Sequence, residues 1–166
     1  MVTLAAARAV AASVADPELP MLTLADLGIL RDVSIDDDGA LTVTLTPTFS
    51  GCPALTEIRR EVAGRLEAAG FGVVRLRTVF DPPWSSDFIS PEGRRKLAEA
   101  GIAPPRSQPG RSNGPVPLTL QVAPAVRCPR CGSPDTERTA AFSGTACKDL
   151  HRCRACAEPF EHVKEV

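Results

Sequence analysis

Four cysteines near the end of the chain carry its most legible chemistry. Cys128-Pro129-Arg130-Cys131 and Cys153-Arg154-Ala155-Cys156 are two C-x-x-C hooks separated by 21 residues. Each hook sets two thiolates at adjacent corners of a tetrahedron, and a short β-hairpin in the intervening segment would bring the hooks together. Zinc accepts four sulfurs at about 2.3 Å without geometric strain, and a closed four-thiolate site has no open position, so the role expected of it is structural. A four-cysteine iron centre or an iron–sulfur cluster uses the same ligands and stands as the alternative. The interval between hooks is slightly longer than the usual zinc template. A part of about fifty residues has too little core to fold alone, so metal binding is expected to supply much of its folding free energy.

Two further thiols lie outside the hooks. Cys52, between Gly51 and Pro53, sits where a helix begins. Free N–H groups and the helix dipole there are expected to favour the thiolate. Gly51 allows a metal or ligand to approach closely. Both histidines lie in the other part of the chain, which leaves Cys52 without a base for acyl transfer. Asp16, Glu18 and Asp26 would reach Cys52 if the early loop folds over its turn. Cys147 is read as a small buried residue, with a spare metal ligand as the sharper alternative and Lys148 as a neighbour favouring its thiolate. His151 and His162 are expected at the surface, since four cysteines already complete the metal shell. Trp84, in Asp81-Pro82-Pro83-Trp84, is either a core plug or one wall of a contact surface.

These groups must be positioned by a chain of 166 residues with a formal net charge of −1. That charge offers no field to attract nucleic acid or anionic lipid. Residues 118–166 hold seven Lys/Arg and six Asp/Glu, a poor footprint for phosphate, so no nucleic-acid partner is expected. No apolar run approaches the roughly 20 residues of a membrane span. The alanine-rich start lacks a basic leader and is interrupted by Arg8, which reads as an ordinary helix in a cytoplasmic protein. Paired C-x-x-C hooks in such a chain favour metal over disulfides.

A helix is expected over residues 3–14, ended by the proline of Asp16-Pro17-Glu18. Gly28 to Ile35 and Leu41 to Thr46 read as a hairpin around Asp36-Asp37-Asp38-Gly39, with Leu41, Val43 and Leu45 alternating with threonines. Pro53 suits the first turn of a helix whose apolar stripe is Leu55, Ile58, Val62 and Leu66. Val73 to Phe80 reads as a third strand, and Ser90 caps a last helix that stops at Gly101. The sum is an α+β domain over 1–102, a small sheet with helices on one face. A Pro-rich linker follows over 103–117, then a four-cysteine zinc-ribbon-like domain over 118–166. An unpaired sheet edge in so small a domain makes a homodimer reasonable.

Several of these motifs together resemble a known family. Asp16-Pro17-Glu18, Asp26-Leu27-Gly28-Ile29-Leu30, Thr46-Pro47-Thr48, Gly51-Cys52-Pro53, Pro82-Pro83-Trp84-Ser85-Ser86-Asp87 and Gly93-Arg94-Arg95-Lys96-Leu97 are similar to the domain of SufT-like iron–sulfur assembly factors. Cys128 to Ser133, Ser143 to Lys148 and Cys153 to Phe160 narrow the likeness to the PaaD (or PaaJ) family, accessory subunits of the phenylacetyl-CoA epoxidase of phenylacetate degradation. That system uses a di-iron oxygenase and a reductase with a flavin and a 2Fe–2S cluster. The resemblance implies a non-catalytic maturation role, with the oxygenase or reductase component as partner. It also implies Cys52 as the thiol that handles iron or a transient cluster, with Asp26 as a second group. A stable structural subunit of the oxygenase is the alternative.

Overall fold

The computed structural model describes residues 3–106 and 125–166. These described residues fall into two units, one running up to Leu97 and including Val166, the other running from Ala98 to Glu165. Residues 107–117, most of the expected linker, and 118–124 lie outside the described residues.

The first unit begins with α1 (Leu4–Ala12), capped by Thr3, whose hydroxyl accepts the Ala6 N–H. Its small faces, Ala7 and Ala11, are fully buried. A one-turn helix, α2 (Leu24–Leu27), leads into β1 (Leu30–Ile35) and β2 (Leu41–Leu45), an antiparallel pair. The α3 helix (Ala54–Ala68) returns the chain so that β3 (Val74–Thr78) runs parallel to β2, giving the order β1-β2-β3. α1 packs on β1, α3 packs on β3, and the two helices touch, so they share one face of the sheet. Leu41, Val43 and Leu45 are buried, as their alternation requires. On α3 the buried stripe is Ala54, Ile58, Val62 and Leu66. Ala54 rather than Leu55 begins it, because a strict i+4 step keeps one side of a straight helix inward. Arg59 ties α3 to β3 through the Thr78 hydroxyl (2.9 Å) and the Leu76 carbonyl (3.0 Å).

Gly28 ends α2 in the left-handed region, φ 66°, closing strand-ward where the sequence suggested that the strand had begun. A β-carbon there would lie 2.6 Å from Phe88 Cβ and 2.7 Å from its carbonyl oxygen. Only glycine meets both demands, on conformation and on space. Phe88 belongs to a single 3-10 turn (Ser86–Phe88) before α4 (Pro91–Glu99). Trp84 is a core plug: it is buried and donates its ring N–H to the Leu27 carbonyl at 2.8 Å.

The second unit is a three-stranded antiparallel sheet, β4 (Thr136–Ala140), β5 (Lys148–Cys153) and β6 (Pro159–Val163), in that order. One strand more than the expected hairpin forms, because β6 follows the second hook and pairs with β5 throughout. Ala103 is buried and joins the free edge of β6. Its N–H donates to Glu161 (2.8 Å) and its carbonyl accepts from Val163 (3.0 Å).

Candidate functional site

The two hooks close as knuckles of the same design. In the first, Gly132 donates to the Cys128 carbonyl (2.9 Å) and Cys128 to the Ser133 carbonyl (3.0 Å); in the second, Cys153 donates to Glu158 (2.9 Å). The residue after each second cysteine adopts a left-handed backbone, Gly132 at φ 73° and Ala157 at φ 62°. These turns bring the four sulfurs of Cys128, Cys131, Cys153 and Cys156 within 4.8 Å of one another. The Cys128–Cys156 and Cys131–Cys153 separations are 3.7 and 3.6 Å. A zinc ion bonded at about 2.3 Å to four sulfurs sets its tetrahedral edges near 3.8 Å, so the cage has the right size. Charge points the same way. A backbone N–H from Cys156 brings the Cys153 thiol down to about 7. Cys156 accepts an N–H from Glu158, yet burial and the sulfurs of Cys131, Cys153 and Cys128 push it up to about 12. Four sulfurs this close can all become thiolates only with a cation among them. Phe160, Ala103 and the stems of Cys128 and Cys153 form the small core behind the cage.

Cys52 is half-buried just before α3, and its surroundings reverse the expected shift. Burial pushes the thiol up, the Ala54 N–H draws it down, and the charge of Glu18 pushes it up again, with smaller parts from Leu55 and Asp16; the balance lies above the ordinary value. The helix start does supply N–H groups, but desolvation and two carboxylates outweigh them. The early loop thus does bring Glu18 and Asp16 to act on Cys52. Asp16 also organises that loop, accepting the N–H groups of Glu18 (2.8 Å) and Leu19 (2.9 Å).

Asp26 is engaged on every side. Its carboxylate accepts the Thr23 N–H (3.0 Å) and hydroxyl (2.9 Å) in a capping box and pairs with Lys96 at 2.7 Å. Burial alone would raise its pKa; the hydrogen bonds from Lys96 and Thr23 hold it below the usual carboxylate range. Its carbonyl accepts from Ser90 (2.8 Å), and Gly93 packs close against it, so Asp26 joins α2 to α4.

Cys147 is half-buried with its sulfur 3.2 Å from the Thr145 hydroxyl. Lys148 is buried and pairs with Glu161 at 2.7 Å, so its charge is directed there. His151 and His162 are not at the surface. Both are buried, on Asp149. Counting back in twos from Cys153, a ligand whose side chain must face the metal, would have turned His151 and Asp149 inward.

The chain thus carries a sheet-and-helix domain, with a lone thiol before its second long helix, and a four-sulfur ribbon. Residues 4–76 match the family described as iron-sulfur cluster assembly protein, and residues 112–164 match the PaaD zinc beta ribbon domain. A protein of Escherichia coli (strain K12), provisionally named as one of the subunits of 1,2-phenylacetyl-CoA epoxidase, is 38% identical over 94% of this chain and 89% of its own length. The chain belongs to the PaaD family. The Fe-S protein maturation auxiliary factor SufT of Staphylococcus aureus (strain USA300) is 36% identical over 46% of this chain and 88% of its own. A crystal structure of a domain of unknown function, DUF59, from Bacillus anthracis superposes with a TM-score of 0.52 at 28% identity, covering 57% of this chain and 90% of that one.

Proposed function

We propose that this protein is a non-enzymatic accessory factor of a cytoplasmic phenylacetyl-CoA epoxidase system, serving the assembly or maturation of its iron centres, iron–sulfur or di-iron. The observation that carries the reading is the joint likeness, over nearly the whole chain, to an epoxidase subunit and, over the first half, to iron–sulfur maturation factors. Cys52 is the working thiol of the 1–102 domain, where it is the one cysteine. Iron or a cluster is its cargo. Glu18 and Asp16 add negative charge that favours a cation replacing the thiol proton. Asp26 serves by holding the α2–α4 corner in place. The Pro-rich residues 104–117 follow Ala103, which already sits on the β6 edge, and lead to the ribbon, where Cys128, Cys131, Cys153 and Cys156 hold structural zinc and the ribbon docks the oxygenase or reductase component.

The test is the iron content of both components purified from cells carrying Cys52→Ser. Under-loaded reductase or oxygenase supports the reading, and full loading of both ends it. The name of the E. coli relative favours a second reading, a stable part of the working oxygenase. Co-purification in fixed stoichiometry with active enzyme would select it.

A further inference from the structure

We propose that Asp149, His151 and His162 form a second metal site, separate from the four sulfurs and suited to a divalent first-row transition ion, ferrous iron or zinc. The sheet register builds it. Asp149 and His151 are alternate residues of β5, and His162 lies directly opposite Asp149 on β6. All three therefore project from one face, which continues toward Cys153, and the His151 ring stacks on Phe160 with centroids 5.6 Å apart. The residues are 5%, 7% and 3% exposed, so little of each side chain meets bulk water.

Asp149 Oδ1 lies 3.1 Å from His151 Nε2 and 2.9 Å from His162 Nδ1, and one ligand atom from each residue falls within 4.8 Å of the others. A metal with bonds of about 2.0–2.1 Å spaces neighbouring ligands about 2.9 Å apart in octahedral and about 3.3 Å in tetrahedral geometry, so small shifts would admit one. Two imidazoles and a carboxylate with open positions are the donor set of non-haem ferrous iron and of open zinc sites. A cavity of about 280 Å³, lined by these groups with Arg106, Thr136, Arg138 and Glu165, leaves space for the remaining ligands.

Hydrogen bonding alone explains the trio less well. Both histidines then spend one nitrogen on the same oxygen, while His151 Nδ1 and His162 Nε2 stay buried with no hydrogen-bond partner among the described residues. With a metal in place, His162 Nε2 becomes an N–H facing Glu165, now 3.8 Å away, the carboxylate–histidine–metal relay that fixes a ligand ring. Two cations border the site. Arg138 lies 3.9 Å from the second Asp149 oxygen but is largely exposed and free to swing out, and Arg106 pairs with Glu165 at 2.8 Å.

The test uses the full-length, zinc-loaded protein, titrated without oxygen with ferrous iron, with zinc and with cobalt(II) as spectroscopic probe. Metal per chain is measured after removal of loosely held ions. A second ion is expected, with cobalt d–d bands and no added sulfur-to-cobalt charge transfer. Asp149→Asn and His162→Gln should weaken that ion by more than the roughly 10–100-fold typical of an outer-shell change, with the sulfur site still filled. The iron and zinc arms tell which ion binds more tightly. The chain has two histidines in all, so paramagnetic broadening of histidine ring signals in the unaltered protein reports this site even if a variant fails to fold. One ion per chain with all three metals overturns the proposal, as does a second ion kept by both variants or histidine signals left sharp.

Discussion

Replacing Asp26 by asparagine separates a structural carboxylate from an iron-handling one. The substitution keeps the shape and the capping contacts to Thr23 but removes the charge that faces Lys96 at 2.7 Å. Hydrogen bonds to charged groups contribute about 1.5–3 kcal/mol. The Lys96 side chain is 30% exposed and can return partly to water, so the lower part of that range applies, about 2 kcal/mol. For a unit of this size that is a loss of roughly 8–16 °C in Tm. The chain's one tryptophan, Trp84, is bonded to Leu27 beside this corner, so its fluorescence follows the melting of this unit. Asp26 titrates below the usual carboxylate value in the folded protein. Its contribution is therefore complete above the unfolded value and is lost as pH falls through the lowered one. Asp26→Asn should flatten that part of the acid limb, and pairing it with Lys96→Met in a double-mutant cycle should show coupling. An unchanged midpoint together with lost iron delivery would refute the reasoning and make Asp26 a ligand.

Three further outcomes follow from the geometry. Gly28→Ala adds a left-handed penalty of about 1–2 kcal/mol to an overpacking cost of about 1–3 kcal/mol against Phe88; denaturant melts of the same tryptophan signal should show it, and a wild-type midpoint would contradict the close approach. Cys153→Ser removes a ligand from the proposed zinc site, and structural zinc contributes about 10–16 kcal/mol to the folding of zinc-finger peptides, so dispersed amide signals of the ribbon should collapse and bound metal should be lost. A compact, metal-free ribbon would end the structural reading. Cys52 should alkylate more slowly at neutral pH than an exposed thiol, followed by peptide mass mapping, and Glu18→Gln should speed it by removing a negative charge that raises the thiol. A midpoint at or below the ordinary thiol value would refute this.

Much of the fold was legible because its signals are local. Alternation in Leu41, Val43 and Leu45, the three- and four-residue steps along α3 and the Ser90 cap each depend on residues a few positions apart. α2 was missed because four residues carry no period, and what holds that turn is a capping box reinforced by Lys96, 70 positions on. The parallel placement of β3 beside β2 escaped for a like reason: periodicity gives a strand its faces, and only its neighbour gives it a direction.

For the sites the division is sharper. The spacing of the two hooks alone determined a four-sulfur cage, since two residues between cysteines constrain a turn whatever surrounds it. The position before Pro53 alone suggested an activated thiol, and there tertiary structure decided otherwise, because desolvation and the charges of Glu18 and Asp16 come from chain folded over the helix start. His151 and His162, eleven positions apart along the chain, became a pair on Asp149 only through the β5–β6 register. Sequence carries ligand types and local turns; burial and long-range charge, which govern what a thiol or imidazole does, exist only once the strands are paired.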